Sequence, residues 1–294
     1  MIYTILFPSS YFSTKEVDED LQSEYNAVKE TGLFNIIIFG YEKWFSENKL
    51  VLNRVPDFPC NAVMRGWMMQ PEKYSVFYEK LRHNNINLIT TPEEYNLMHL
   101  FPNIYNIFEE DTAKMKIFPL HEEIDVESVK KTFGKFMVKD FVKSLKGSQF
   151  PRFFDGTVTQ EKFNEYMETF YKYRGDLLTG GICIKEFLDL KYYNGKTNEY
   201  RVFYINNKIA TVSRNSGQER NTNKPPTELI EKYSNLKSRY YTIDYAELSD
   251  GTWKVIEAGD GSVSGLSENQ NICDYFRTLF YAFKGSKPDV FRFC

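Results

Sequence analysis

The sequence predicts a mixed α/β protein of the α+β class, in which a parallel α/β unit precedes a region of antiparallel hairpins. Residues 2–7 and 35–39 are apolar runs of strand length on either side of a helical pattern, and strand–helix–strand is the order of a parallel unit. Farther along, the turn pairs Asn206-Asn207 and Asp250-Gly251 each lie between strand-forming runs, as in β-hairpins.

The first unit contains two helices with recognisable ends. Asp18 or a neighbour is placed to begin a helix with apolar residues at helical spacing, and Gly32 is placed to end it. Thr91 and Glu94 have the spacing of a capping box at the start of another helix. Between them we expect a helix over about 71–84 and a strand over 86–89, and the unit is expected to end near residue 117.

The second unit alternates helices with hairpin strands. Ser267 and Gln270 are predicted to cap a last helix that Gly285 ends. The preceding elements are expected as strands at 136–141, 181–188, 199–205, 208–214, 240–248 and 252–257, with helices at about 159–173 and 226–236.

Composition excludes several classes of protein. Of 294 residues, 42% are hydrophobic and 17% aromatic, enough to bury a sizeable core. The net charge of −3 gives no general attraction to nucleic acid or to anionic membranes, and no apolar run approaches the ~20 residues of a membrane span. The N-terminal residues lack the features of a signal peptide. The four scattered cysteines indicate neither a zinc site nor a disulfide framework, so we expect a cytoplasmic protein.

Two acids in the hairpin closed by Asp250-Gly251 are predicted to face each other. A two-residue turn there pairs Asp244 with Glu257 on one side of the sheet, with Cβ atoms roughly 5 Å apart. Carboxylates at that distance repel, and one stays protonated unless a cation lies between them. Oxygen ligands in pairs suit Mg²⁺, and Asp260 is a candidate third ligand. The alternatives are a solvated acidic patch or a pairing shifted by one residue.

Lys139 interrupts an apolar strand, and Lys143 follows four residues later. A lysine buried in such a strand needs an anionic partner, either a phosphate or a buried carboxylate. No Walker A or GxGxxG motif is present. Gly147 is the one glycine placed for a short phosphate-covering loop.

The hairpin closed by Asn206-Asn207 is predicted to pair Glu199 with Arg214 and Arg201 with Val212. An ion pair accounts for the first couple. Val212 offers no charge, so Arg201 is the candidate for binding a phosphate or an oxyanion. The alternative is a solvated arginine whose stem covers Val212.

Glu186 ends a predicted strand and is followed by extended backbone. Such a hinge offers N–H and C=O groups to the edge of an adenine ring, and the alternative is a simple connector.

In this order, four segments resemble an ATP-grasp domain: VKDFVKS, GICIKEFLDL, NEYRVFYINNKIATVSR and YYTIDYAELSDGTWKVIEAGDGSVSGL. More closely, the chain resembles a bacterial and phage clade of that superfamily in which a typical arginine is replaced by lysine. The N-terminal segments LFPSSYFSTKEVDEDLQSEY, MRGWMM and TPEEYNLMHLFPNIY fit the same clade. The resemblance implies an ATP-grasp domain at 118–294, preceded by a parallel α/β pre-ATP-grasp domain at 1–117.

The resemblance implies ATP and Mg²⁺ as cofactors and assigns roles by position. Lys139 is similar to the lysine that contacts ATP phosphates, Lys143 to the clade's additional cation, and Asp244 and Glu257 to the two metal-binding acids. The superfamily usually has Asn two residues after the second acid. Here that position is Gly259, with Asp260 as the candidate substitute. The implied nucleotide contacts are the adenine hinge Glu186, Phe187 and Leu188, and Asp189 or Glu199 near the ribose or adenine.

The chemistry implied by the resemblance is carboxylate activation by ATP, followed by attack of an amine or thiol on an acyl phosphate and release of ADP. Lys143, Arg201 and Arg65 are the candidate catalytic cations. Arg65 is expected to bind a substrate carboxylate or phosphate, or else to form a structural ion pair. Shared N-terminal motifs also contain Trp67, Tyr95 and His99; core packing is the alternative for the first two, and a core role is favoured for His99.

Three functions compete at this point. The first is a ligase acting on a small molecule or a peptide. The second is a nucleic-acid ligase or repair enzyme that transfers AMP, which the net charge does not favour. The third is an inactive nucleotide-binding protein, which the glycine at position 259 favours.

Overall fold

The computed structural model describes residues 3–145, 150–215, 217–220 and 222–285. Gly147, the predicted phosphate-covering glycine, lies outside these residues. Within them no helix has the length and apolar character needed to cross a membrane.

The chain begins with a four-stranded parallel sheet. Its strands are β1 (Tyr3–Pro8), β2 (Asn35–Phe39), β3 (Cys60–Met64) and β4 (Ile86–Leu88), in the order β2-β1-β3-β4. The connecting helices are α1 (Gln22–Thr31), α2 (Tyr41–Glu47) and α3 (Pro71–Arg82). Strand β3 and helix α2 are additions to the elements expected from sequence.

Local signals set the helix ends as expected. The Asp18 carboxylate accepts from the Asp20 backbone N–H at the start of a 3₁₀ turn that leads into α1, and Gly32 ends α1 with φ 63°. Thr91 and Glu94 form both bonds of the predicted capping box at the start of α4 (Pro92–His99). Helix α5 (Phe101–Phe108) follows at once.

A three-stranded antiparallel sheet comes next. Its strands are β5 (Met115–Phe118), β6 (Phe136–Asp140) and β7 (Ile182–Glu186), in the order β5-β7-β6. Helices α6 (Val126–Phe133) and α7 (Gln160–Arg174) cover one face and share an apolar core with it. We call these residues, 115–186, the small-sheet unit.

A larger antiparallel sheet completes the fold. Its strands are β10 (Glu199–Ile205), β11 (Lys208–Arg214), β12 (Tyr240–Glu247) and β13 (Trp253–Asp260), in the order β11-β10-β12-β13. A short hairpin of β8 (Tyr192–Tyr193) and β9 (Lys196–Thr197) precedes it, and α8 (Thr227–Lys232) interrupts it. Helix α9 (Ile272–Lys284) ends at Gly285, which has φ 77°.

The predicted capping box of this last helix is wrong. Asn271 caps α9, and its side chain accepts from the Asp274 backbone N–H. Ser267 instead donates its hydroxyl to the Arg214 carbonyl, and Gln270 donates to Thr211 at 3.0 Å. These tertiary partners on β11 compete with the local cap, and sequence spacing does not reveal them.

Helix α9 joins the two ends of the chain in one apolar core. Phe276 and Leu279 are fully buried against Val28 of α1, Phe7 of β1 and Phe203 of β10. The division into 1–117 and 118–294 stays a prediction, and strand pairing places Met115–Phe118 with the later sheet.

We predict that Leu279→Ala lowers the free energy of unfolding by about 2–5 kcal/mol, because it leaves a cavity in this shared core. Urea denaturation of the purified protein measures the loss. Leu177→Ala is the matched control, since Leu177 is 69% exposed, and it should change stability by less than about 0.5 kcal/mol. Equal stability of the two variants would mean that α9 is not packed as described.

Candidate functional site

A cleft between the small-sheet unit and the larger sheet collects most of the predicted site residues. Its charged lining is Lys143, Arg201, Asp244 and Glu257, and its uncharged lining includes Thr242 and Ser264. The N-terminal part of the chain adds Met68, His99 and Phe101. Charges of both signs thus meet where all three sheets approach one another.

Asp244 faces Glu257 across β12 and β13, as predicted. The route to this pairing differs from the expected one. The turn is a three-residue loop, 249–251, closed by a 2.8 Å bond from the Leu248 N–H to the Thr252 carbonyl, which shifts the pairing by one residue up to Tyr245 and Val255. A bulge at Ile256 then shifts it back. Two irregularities cancel at the acids.

Arg201 faces Asp244 on β12, and the predicted pairing with Val212 is wrong. A bulge between Phe203 and Tyr204 shifts the ladder, so that Arg201 lies opposite Ser213 on β11. Its guanidinium binds Asp244 at two points, with distances of 2.8 and 2.7 Å, and donates to the Gly265 carbonyl at 3.0 Å. The adjacent Asp244 carboxylate raises the pKa of Arg201.

The predicted ion pair of Glu199 with Arg214 is also absent from the ladder, because Tyr200 takes the place opposite Arg214. Glu199 instead accepts from the Thr197 hydroxyl at 2.6 Å. It lies at the start of β10, away from the charged lining of the cleft.

Glu257 lies among cations. Its carboxylate is 3.6 Å from the Nζ of Lys139, which is buried as predicted. Burial alone would raise the pKa of Glu257, but the surrounding positive charges outweigh it and hold the pKa below its usual range. Those charges come from Lys139, Lys143, Arg201 and Lys185. The acids that were predicted to need a cation are therefore satisfied by side chains, with Arg201 on one and Lys139 on the other.

Lys185 is a site residue that sequence reasoning missed. It is 4% exposed, and its ammonium donates to the Ile256 carbonyl at 2.9 Å and lies 4.2 Å from the centre of the Phe101 ring. Burial, followed by repulsion from Lys139, lowers its pKa to about 7. A signal was available, because Lys185 interrupts the apolar run of β7 as Lys139 interrupts that of β6.

Asp140 was missed as well, and it holds the backbone beside Lys143. Its fully buried carboxylate accepts from the N–H groups of Val142 at 2.7 Å and Lys143 at 2.6 Å and forms an ion pair with Arg174. The exposed Lys143 side chain therefore starts from a fixed point at the mouth of the cleft.

The predicted adenine hinge lies at the edge of the small-sheet unit. Glu186 donates its N–H to the Lys114 carbonyl at 2.8 Å, and Phe187 donates to the Lys135 carbonyl at 3.0 Å. The backbone of Leu188 and Asp189 then leads to the larger sheet, where the exposed Asp189 carboxylate accepts from the Ser249 hydroxyl at 2.7 Å.

Arg65 is built into the protein interior, which corrects its assignment as a catalytic cation. It is 2% exposed and binds Glu24 at two points, with distances of 2.7 and 2.8 Å. It also donates to the hydroxyl of Tyr240 and to the carbonyls of Gly261 and Ser264. The structural ion pair therefore accounts for Arg65, which positions the loop that lines the cleft.

Asp260 is not a third ligand in this arrangement. Side chains alternate along β13, so Asp260 points away from the face that carries Glu257. It is fully buried; one carboxylate oxygen accepts from the Ser262 N–H at 2.9 Å and the other has no hydrogen-bond partner. Burial raises its pKa to about 7. Gly259, in contrast, lines the cleft.

The N-terminal candidates divide between core and cleft. Tyr95 is buried and stacks on Tyr74 at 3.9 Å, and Trp67 donates its indole N–H to Asp18 at 3.2 Å. His99 is also largely buried but lines the cleft. Burial and the nearby Lys143 lower its pKa to about 4, so the imidazole is neutral at pH 7.

We predict that Glu24→Gln destabilises the fold by about 3–5 kcal/mol, because it leaves the Arg65 guanidinium buried without its counter-charge. The matched control is Glu47→Gln, which breaks the exposed pair with Lys43 and should change stability little. Urea denaturation compares the two. A Glu24→Gln variant as stable as the parent would restore Arg65 as a free cation.

We predict that Asp260→Asn stabilises the protein at pH 8 and that the gain disappears toward pH 4. An acid whose pKa rises on folding keeps its proton in the folded state, so stability falls as pH rises from about 4 to about 7. The shift to a pKa of about 7 corresponds to at most ~4 kcal/mol. Unfolding curves between pH 4 and pH 8 test this, and a gain independent of pH would contradict it.

Solved structures with the same fold cover nearly all of the chain. The D-alanine–D-alanine ligase from Coxiella burnetii matches at a TM-score of 0.62 and 9% identity, covering 97% of this chain and 94% of that one. The ATP-grasp ligase PsnB, complexed with minimal precursor, Mg and ADP, matches at 0.60 and 11%, covering 95% and 96%. D-cycloserine synthetase DcsG matches at 0.61 and 11%, covering 94% and 98%.

No curated protein sequence matches the chain. A family model does, and it describes an ATP-grasp domain, family 3 of the clade named for its arginine-to-lysine replacement. It matches residues 125–280, which is more than half of the chain and contains both acids and the four cations around Glu257. Family and fold agree, and the chain belongs to the ATP-grasp superfamily, in family 3 of the arginine-to-lysine clade.

Proposed function

We propose that this protein is a magnesium- and ATP-dependent ligase that joins a carboxylate to an amine or a thiol through an acyl phosphate. The observation that carries the proposal is the cleft itself. Two opposed carboxylates, Asp244 and Glu257, lie there within one cluster of basic side chains. Phosphoryl transfer needs little covalent help from a protein and depends on positioning and charge neutralisation.

The donor set fits a magnesium ion bound together with a triphosphate. Asp244 and Glu257 offer oxygen ligands on one face of the sheet, and Mg²⁺ usually takes one or two carboxylates besides phosphate oxygens and water. Bound there, the ion would neutralise phosphate charge as a Lewis acid.

The side chains that now hold the acids become the phosphate ligands. Arg201 leaves Asp244, and Lys139 leaves Glu257, when phosphate oxygens take their place. Lys143 reaches the same cleft from its mouth. Glu186 to Leu188 would hold the adenine edge, with Asp189 or Glu199 nearer the ribose. The cations thus exchange one set of oxygens for another and need no charge from outside.

The reaction balances as two transfers. A carboxylate oxygen of the substrate attacks the terminal phosphorus of ATP, and the bond to the bridging oxygen breaks to release ADP. An amine then attacks the acyl carbon, phosphate leaves, and the nitrogen loses a proton. We propose a peptide or a small molecule as substrate and the cytoplasm as location; PsnB has been solved with a precursor peptide.

We predict opposite effects of Asp244→Asn with and without magnesium. With Mg²⁺, ATP should bind at least ~10-fold more weakly, because a metal ligand is lost. Without Mg²⁺, ATP should bind as well as or better than to the parent, because Arg201 is released from its ion pair. Calorimetric titration with ATP measures both.

Glu257→Gln should also weaken binding in magnesium. Asp274→Asn should not, because Asp274 pairs with Arg277 near the start of α9 and does not line the cleft. Turnover is tested by incubation with ATP, Mg²⁺ and fractionated cell extract. ADP release that depends on one fraction supports the proposal and identifies the class of acceptor. Release of AMP instead, or ATP binding unaffected by both acid variants, would refute it.

A further inference from the structure

Position 259 leaves a gap in the oxygen ligands of the cleft. It lies two residues after Glu257, so a side chain there would lie on the same face of β13. The residue is glycine, and it lies opposite Thr242 and lines the cleft. Within residues 3–285 as far as they are described, no group of three His, Cys, Asp or Glu side chains is close enough to hold a metal ion.

Two hydroxyls fill the space beside Gly259. A Cβ placed on this glycine would lie 3.3 Å from the Oγ of Ser264 and 3.5 Å from the Oγ1 of Thr242. The two hydroxyl oxygens are 2.8 Å apart. Thr242 comes two residues before Asp244 on β12, so it shares the face of the acids, and both hydroxyl residues line the same cleft.

The hydrogens of this pair can be assigned. The Ser264 hydroxyl donates to the Asp260 carbonyl at 2.8 Å, and a hydroxyl has one hydrogen to give. Thr242 must therefore be the donor to Ser264. Its only other contact in the described part of the chain is a marginal one, 3.5 Å from the Gly259 carbonyl, in which Thr242 would again donate. The lone pairs of the Thr242 oxygen stay unused.

We propose that the Thr242 hydroxyl, held in place by Ser264, supplies the magnesium ligand that a side chain at position 259 would otherwise provide, directly or through a metal-bound water. The inference rests on the proposed function, since it names a further ligand of that ion. A hydroxyl fixed as an acceptor suits Mg²⁺, which prefers oxygen ligands and keeps several waters. It also gives Gly259 a reason, because a larger residue would press on both hydroxyls.

The test separates binding of the ion from binding of the nucleotide. Water-proton relaxation enhancement reports the affinity of the protein for Mn²⁺·ATP, and calorimetry in EDTA reports its affinity for metal-free ATP. Thr242→Val keeps the shape of the side chain and removes the hydroxyl. We expect Mn²⁺·ATP to bind about 10-fold more weakly and metal-free ATP to bind within about 2-fold of the parent.

Matched variants control for general damage. Thr242→Ser keeps the hydroxyl and should keep the affinity for Mn²⁺·ATP. Thr211→Val removes another buried threonine hydroxyl from the same sheet, one bonded to Gln270 outside the cleft, and should have no effect on either affinity. The double change Thr242→Val with Gly259→Asn should recover most of the lost affinity, because the amide oxygen enters the same gap.

The outcomes distinguish the two proposals. If Asp244→Asn and Glu257→Gln lose Mn²⁺·ATP while Thr242→Val binds it like the parent, the hydroxyl proposal is overturned and the ligase proposal stands. If the parent protein binds ATP neither with Mn²⁺ nor without it, both fall. Should Thr242→Val fail to fold, Ser264→Ala decides. It should weaken Mn²⁺·ATP about 3-fold by freeing the Thr242 hydroxyl to rotate, and no change overturns the proposal.

Discussion

The architecture of the cleft depends on one constraint, which is that two carboxylates face each other across an antiparallel ladder without repelling the strands apart. Asp244 and Glu257 meet this constraint through different partners. Arg201 binds the first at two points, and Lys139 lies beside the second. Buried like charges of this kind are tolerated only where each has a counter-charge. The larger sheet can therefore form around its acids before any ligand binds.

The basic residues are held in turn by their surroundings. Lys185 rests on the Ile256 carbonyl and the Phe101 ring, and Asp140 fixes the backbone at Lys143. Each cation comes from a different strand or loop, so the positive charge is spread around the acids instead of being stacked along one element. Because the low dielectric strengthens every pair, an incoming polyanion meets a site whose charges are already balanced and directed.

Sequence reasoning reached the helix caps and the strand parity, because both depend on residues close together in the chain. It placed Thr91 and Glu94 correctly, and it placed Asp244 opposite Glu257 although two shifts had to cancel. It failed where tertiary contacts decide. A bulge moved Arg201 from Val212 to Ser213, and the partner of Arg65, Glu24, lies 41 residues away. Neither a bulge nor a distant buried partner leaves a mark at the spacing of two or four residues that patterns detect.

Helix α9 has a mechanical consequence. It fuses the parallel sheet and the larger sheet into one apolar body, whereas the small-sheet unit has a core of its own. That unit connects to the body through two chain crossings, near Lys114 and near Leu188, and much of the contact across the cleft is polar. The rest of the molecule then acts as an anvil, and the small-sheet unit is the single jaw that can swing against it.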